Sequence, residues 1–202
     1  MGVLACQGCA FAAVEVGPES VASGLTVLSA DGGALERASH ERLIGMLKRT
    51  AEVRLRRNAP LQLFDEVVGA ARQAERTTLS MRCRSSGPAF RLVTGAESTN
   101  CLLTTDCVSL TLLVGADGAR LASATQPLTP DAGDGFGHLD LRPDGGVDLD
   151  ALRRSLAAIR KAHPTDDTIV VVVDDAIEPV AAFCDVAETS AQYFPAIQLG
   201  SF

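Results

Sequence analysis

The stretch Thr168-Ile169-Val-Val-Val-Val173, closed by Asp174-Asp175, decides the reading of the fold. A short, unbroken β-branched run of this kind predicts a strand buried on both faces. Upstream, Asp148 or Asp150 is placed to cap a helix that runs to about His163. Leu152, Leu156 and Ile159 share one face of that helix, and Pro164 stops it. Downstream, Pro179 stands where a second helix starts and leads into Val180–Ala191, after which Ala196–Leu199 reads as a strand. Before all of these, His138–Leu141 is a strand ended by the turn Pro143-Asp144-Gly145-Gly146. The second half therefore runs strand, Asp-Gly turn, helix, strand, helix, strand.

The first half repeats that order. Leu25–Ser29 is a strand running into Asp31-Gly32, and Leu35–Arg49 carries Leu35, Leu43, Ile44, Met46 and Leu47 near helical spacing. Val53 and Leu55 alternate with Arg54 and Arg56, the period of a half-buried strand. Pro60 breaks it, Leu63–Ala74 is a helix with an apolar stripe, and Leu79, Met81 and Cys83 alternate with Ser80, Arg82 and Arg84 in the next strand. Phe11–Val16 adds a strand in front. Ser85-Ser86-Gly87-Pro88 marks a boundary. Beyond it, Phe90–Thr94 and Leu102–Thr104 are short strands, Val108–Val114 pairs with Ala119–Ser123 as a hairpin, and Gln126–Gly137 is a long loop. The expected class is α+β, as two tandem β-β-α-β-α-β-type units, each a small sheet with two helices on one face. Residues 1–13 form an irregular N-terminal segment, 14–86 the first unit, 87–137 strands and a linker loop, and 138–202 the second unit.

Charge divides along the same line. Of the net −7 in 202 residues, residues 1–101 carry +2 and residues 102–202 carry −9. An acidic chain argues against nucleic acid or an anionic membrane as partner of the whole. Aromatic residues are only 4%, so stacking on bases or sugars is poorly supplied and the core must be built from Ala, Val and Leu.

The cysteines are Cys6, Cys9, Cys83, Cys101, Cys107 and Cys184. Cys83 and Cys184 lie in apolar patterns and read as buried small hydrophobes, while Cys101 and Cys107 could close a small loop. None of His40, His138 and His163 lies near a cysteine at metal spacing, so no metal site is expected. Val3-Leu4-Ala5-Cys6 has the form of a lipoprotein signal's end, which makes Cys6 a lipidation candidate and the start of the chain a candidate truncated signal. The alternative is an irregular apolar strand. Cys6 and Cys9 also have the spacing of a thiol-redox motif, without the strand-to-helix context that motif needs.

Residues 138–202 resemble the periplasmic domain of the ExbD/TolR family of biopolymer-transport proteins. The resemblance lies in Asp144-Gly145 with the helix through Leu152-Arg-Arg-Ser-Leu156, the strand ending at Asp174-Asp175, the helix Val180-Ala-Ala-Phe-Cys-Asp185-Val-Ala187, and the final Ala196-Ile-Gln-Leu199. It implies that fold and a periplasmic or envelope adaptor role, with residues 14–86 as a more diverged copy. The family's membrane helix with its proton-carrying Asp has no counterpart in this sequence, so the motor role is not carried over.

Two groups of charges invite chemistry. Arg54, Arg56, Arg82 and Arg84 fall on the polar side of two strands and, if those strands are neighbours, share one open sheet face as a candidate anion or partner site. The alternative is a solvated face balanced by nearby acids. Asp144, Asp148, Asp150, Asp166, Asp167, Asp174 and Asp175 sit mostly at turns and caps, where Asp is favoured anyway. In the second half the open face carries Val or Ile, and something should cover it: the other unit, the Phe90–Val114 strands or a partner chain. No phosphate-binding glycine loop or nucleophile elbow is present. The expectation is a non-enzymatic protein without cofactors that binds an envelope protein or a peptidoglycan-type polymer. It would be periplasmic or membrane-anchored, with membrane contact only through a lipid anchor, and homo-oligomers are allowed. The alternatives are a cytoplasmic α/β enzyme or small-molecule binder with Asp174-Asp175 near its site, and a thiol-redox protein.

Overall fold

The computed structural model describes residues 14–17, 26–28, 37–49, 52–59, 61–83, 87–94, 110–115, 118–123, 136–139, 147–173 and 180–200. Cys6, Cys9, Cys101, Cys107, Arg84, Asp174, Asp175, both Asp-Gly turns and the Leu102–Thr104 strand lie outside them.

Among the described residues ten strands and four helices follow in order: β1 (Val14–Gly17), β2 (Thr26–Leu28), α1 (Arg37–Leu47), β3 (Glu52–Leu55), α2 (Leu61–Gln73), β4 (Thr78–Arg82), β5 (Phe90–Val93), β6 (Leu110–Gly115), β7 (Gly118–Ser123), β8 (Phe136–Leu139), α3 (Leu149–Ala162), β9 (Thr168–Val173), α4 (Val180–Ser190) and β10 (Ala196–Gly200). The mixed α and β composition agrees with the α+β class. The helix ends follow local chemistry. Asp148 rather than Asp150 caps α3, its carboxylate accepting from the backbone N–H groups of Asp150 and Ala151 at 3.0 Å each. At the C-terminus of α1, the Arg76 guanidinium donates to the Leu47 and Lys48 carbonyls at 2.9 and 2.8 Å, satisfying acceptors the helix cannot.

All ten strands belong to one sheet in the order β2-β1-β3-β4-β5-β10-β9-β6-β7-β8. The two small sheets expected from the sequence are thus one continuous sheet. The link is β5, antiparallel to β4 on one side and parallel to β10 on the other. That position also answers what β5 does: it lies within the sheet and does not cover the apolar face of the second half. Within the first half β1, β3 and β4 run parallel, and within the second half β6, β9 and β10 do.

Cross-strand partners share a face, and the deeply buried ones form unbroken rows across the sheet. Val16 faces Leu55, Val53 faces Met81, Leu79 faces Leu92, Leu92 faces Ile197, Ile197 faces Ile169, and Val171 faces Leu112. These residues join Leu43, Met46 and Leu47 of α1, Phe64 and Val67 of α2, Leu152, Leu156 and Ile159 of α3, and Phe183, Val186 and Ala187 of α4 in one core cluster. Every strand residue in that cluster occupies the same set of alternate positions, so the helices pack on one face; on the other, Arg54 and Arg91 are exposed while Val93, Ala196 and Val172 are buried.

Candidate anion-binding face and the junction beneath it

The open face of the first half is built by strand alternation. In β3, Val53 and Leu55 are buried while Glu52 and Arg54 turn the other way, and β4 repeats the pattern with Leu79 and Met81 against Ser80 and Arg82. Because β3 and β4 are parallel neighbours, Arg54 is the direct cross-strand partner of Arg82. Glu15 on β1 stands opposite Arg54 on the other side. β3 and β4 adjoin, which brings Arg54, Arg56 and Arg82 to one surface, while Arg84 lies outside the described residues.

That surface is not purely basic. The Arg54 Nε donates to Glu52 Oε1 at 3.0 Å, and Arg82 Nε approaches the same carboxylate oxygen at 3.6 Å. Arg56 Nε donates to Glu15 Oε1 at 2.6 Å. Arg82 Nη1 also donates to the Gly87 carbonyl at 2.8 Å, holding its guanidinium toward the chain that leaves β4. One carboxylate therefore serves two arginines, and the side chains stay open to water, with Arg54 50% and Arg82 35% exposed. Ion pairs so exposed contribute about 0–1 kcal/mol each.

The antiparallel pairing of β4 with β5 adds a residue the sequence reading missed. Arg91 lies opposite Ser80, two positions along β4 from Arg82, and is exposed. Its signal was present in Phe90-Arg91-Leu92, the same apolar–basic alternation, but the strand's place beside β4 was not readable from local pattern. Beyond β5 the same face runs through Ala196 and Gln198 of β10 and Thr168, Val170 and Val172 of β9 to Thr111 and Leu113 of β6, with Ala196 and Val172 buried.

Beneath this face, on the helix side, three consecutive residues of α4 reach into the first half. The Phe183 ring lies 4.9 Å from Phe64 of α2 and 6.3 Å from Phe90 of β5, centroid to centroid. Cys184 is joined to Cys83 in a disulfide closing a separation of 101 residues, with both cysteines buried. They are thus bonded to each other, not merely small buried hydrophobes as their apolar settings suggested. Asp185 accepts two hydrogen bonds from Arg57, at 2.6 and 2.7 Å, as a bidentate pair. Those bonds raise the Arg57 pKa above its ordinary value; burial opposes them, and the charges of Asp185 and Glu188 assist.

The remaining candidates do not converge. Asp148 is a helix cap, Asp150 pairs with Arg153 at 2.6 Å, and His163 is the C-cap of α3. Among the described residues no group of three or more His, Cys, Asp or Glu is arranged to hold a metal ion. No helix among them is long and apolar enough to cross a membrane.

No family model matches the chain, and no curated protein does. Among solved structures, unliganded arylmalonate decarboxylase aligns over 92% of this chain and 85% of its own, at 14% identity and a TM-score of 0.22, a likeness too weak to carry an argument.

Proposed function

We propose that this chain is a non-enzymatic cell-envelope protein built of two ExbD/TolR-like units that binds a partner protein or cell-wall polymer. The observation that carries the proposal is the buried Cys83–Cys184 disulfide. Disulfides persist in oxidising compartments such as the periplasm and are rare in the cytosol, where thiols are kept reduced. A bond tying the end of one half to the last helix of the other belongs to a protein that finishes folding outside the reducing cytosol.

The strand order supports the duplicated unit. The first half reads β2-β1-β3-β4 across the sheet and the second β7-β6-β9-β10, with a helix before the third strand and another before the fourth in both. The two halves also differ: β1 and β2 are parallel whereas β6 and β7 form an antiparallel hairpin, the second half adds β8 beside β7, and β6 and β7 precede residue 138, where the second unit was expected to start. The partner-binding part of the proposal rests on the open face with its paired and unpaired arginines.

The test is cell fractionation of the native protein combined with alkylation of its thiols and labelling with tritiated palmitate. The expected result is an envelope fraction in which Cys83 and Cys184 resist alkylation until reduced and unfolded. A protein in the cytosolic fraction with both thiols free overturns the proposal in favour of a cytoplasmic enzyme or small-molecule binder. Palmitate incorporation lost in Cys6→Ser would assign the anchor.

A further inference from the structure

We infer that the open face over β3, β4 and β5 docks an extended acidic peptide segment of a partner protein, with Arg91 and Arg82 as its carboxylate anchors. Charge balance is the first ground. Arg54, Arg82 and Arg91 share this face with Glu52, which already serves both Arg54 and Arg82, while Arg91 makes no ion pair among the described residues. The neighbouring Arg56 and Glu15 offset each other. Among the described residues, three guanidiniums with one carboxylate leave an excess of positive charge that an incoming carboxylate can meet without displacing Glu52, and guanidinium forks suit that geometry.

Spacing is the second ground. Neighbouring strands lie about 4.8 Å apart and alternate residues on a strand about 6.8 Å apart, which puts the backbones of Arg82 and Arg91 about 8 Å from each other. An extended peptide with acidic residues at alternate positions presents carboxylates about 6.8 Å apart along one side, within reach of both long side chains. The third ground separates a peptide from an anionic polysaccharide. Across β10, whose Ala196 and Gln198 lie next to β5, the same face presents Val170 on β9 and then Leu113 on β6, both partly exposed, beside Thr111. An apolar strip one strand removed from the basic one fits a segment that mixes acidic and apolar side chains, and a uronic-acid polymer has nothing to place there.

This inference deepens the partner-binding reading and rests on it. The experiment is a fluorescence-anisotropy titration of the full chain with a labelled eight-residue peptide alternating Glu and Val, at low salt. Wild type should bind. Arg91→Ala should weaken binding by about tenfold, and Arg91→Lys should restore part of it. Arg120→Ala, at an exposed arginine on the far side of the same face, should change binding less than about twofold. Added salt should shrink the Arg91 effect, because exposed charges are screened over about 8–10 Å. Absence of binding, or Arg91→Ala binding like wild type, overturns the inference. So does equal binding of polygalacturonate or of a peptide alternating Glu and Ser, since either makes the face a general anion surface. Each of these failures leaves the fractionation result untouched, and a cytosolic location would leave the peptide titration unchanged, so the two readings fail separately.

Discussion

Removing the Cys83–Cys184 bond by substituting both residues with Ala tests the packing at the junction most directly. The bond closes a loop of about one hundred residues, so the chain-entropy model assigns it about 4.7 kcal/mol, and removing native disulfides costs about 2–5 kcal/mol. Global stability for such a domain is about 5–15 kcal/mol, so the loss is a large share of it. Urea m-values run about 1–3 kcal/mol per molar and grow with chain size; near the upper end, the midpoint should fall by about 0.7–1.7 M. The m-value itself should rise, because the unlinked denatured chain exposes more surface. The native fold should survive in water, since Phe183 still packs on Phe64 and Asp185 still holds Arg57. In the wild type, reductant should leave the protein unchanged in native buffer and act quickly only in denaturant, because both sulfurs are buried. A midpoint within about 0.2 M of wild type, or thiols that react freely in the folded protein, would refute the pairing and with it the argument for an oxidising compartment.

Asp185→Ala leaves Arg57 without its bidentate partner on a partly exposed site, and thermal or urea unfolding should show a loss of about 1–2 kcal/mol, between the values for surface and buried pairs. Raising the pH through neutrality should not remove this contribution. The Arg57 pKa is raised, so its share is fully present below the unfolded value and is lost only as the pH rises through the raised folded value, far above neutrality. Asp148→Ala should cost about 0.5–2 kcal/mol through the lost cap of α3, and Asp148→Asn should recover most of it in the same unfolding assay. Gly200→Ala should destabilise by about 1–3 kcal/mol, because the new Cβ would meet Val172 Cγ2 at 2.6 Å and Val170 Cγ1 at 3.0 Å across the β9–β10 pair; a neutral result would show that those valines can turn aside.

What could be read along the chain was local, and what could not be read was how distant segments meet. The apolar run at Thr168–Val173, the α3 stripe of Leu152, Leu156 and Ile159, and the alternation around Val53 and Leu79 each impose their own period on a few residues, and β9, α3, β3 and β4 formed where those periods lie. The same alternation put Arg54 and Arg82 each on the polar side of its own strand, and the β3–β4 pairing then brought them to one face. Sheet membership was a different matter. Phe90–Val93 has the pattern of any half-buried strand; whether it starts a new sheet, covers an old one or stitches two together depends on partners more than one hundred residues away at Ala196–Gln198. The consequence reaches the candidate site, because β5 both joins the halves and carries Arg91 to the edge of the basic face. The α4 residues Phe183, Cys184 and Asp185 were equally opaque. Each is ordinary in its helix: an aromatic, a small thiol and an acid at three consecutive positions. A helix turns about 100° per residue, so three neighbours fan across a wide arc, and they all find first-half partners only because α4 sits where α2, β5 and the ends of β3 and β4 converge. The junction that locks the basic face to the rest of the sheet is therefore a property of the topology, and its three contacts belong to one structural event: the docking of α4 against the first half.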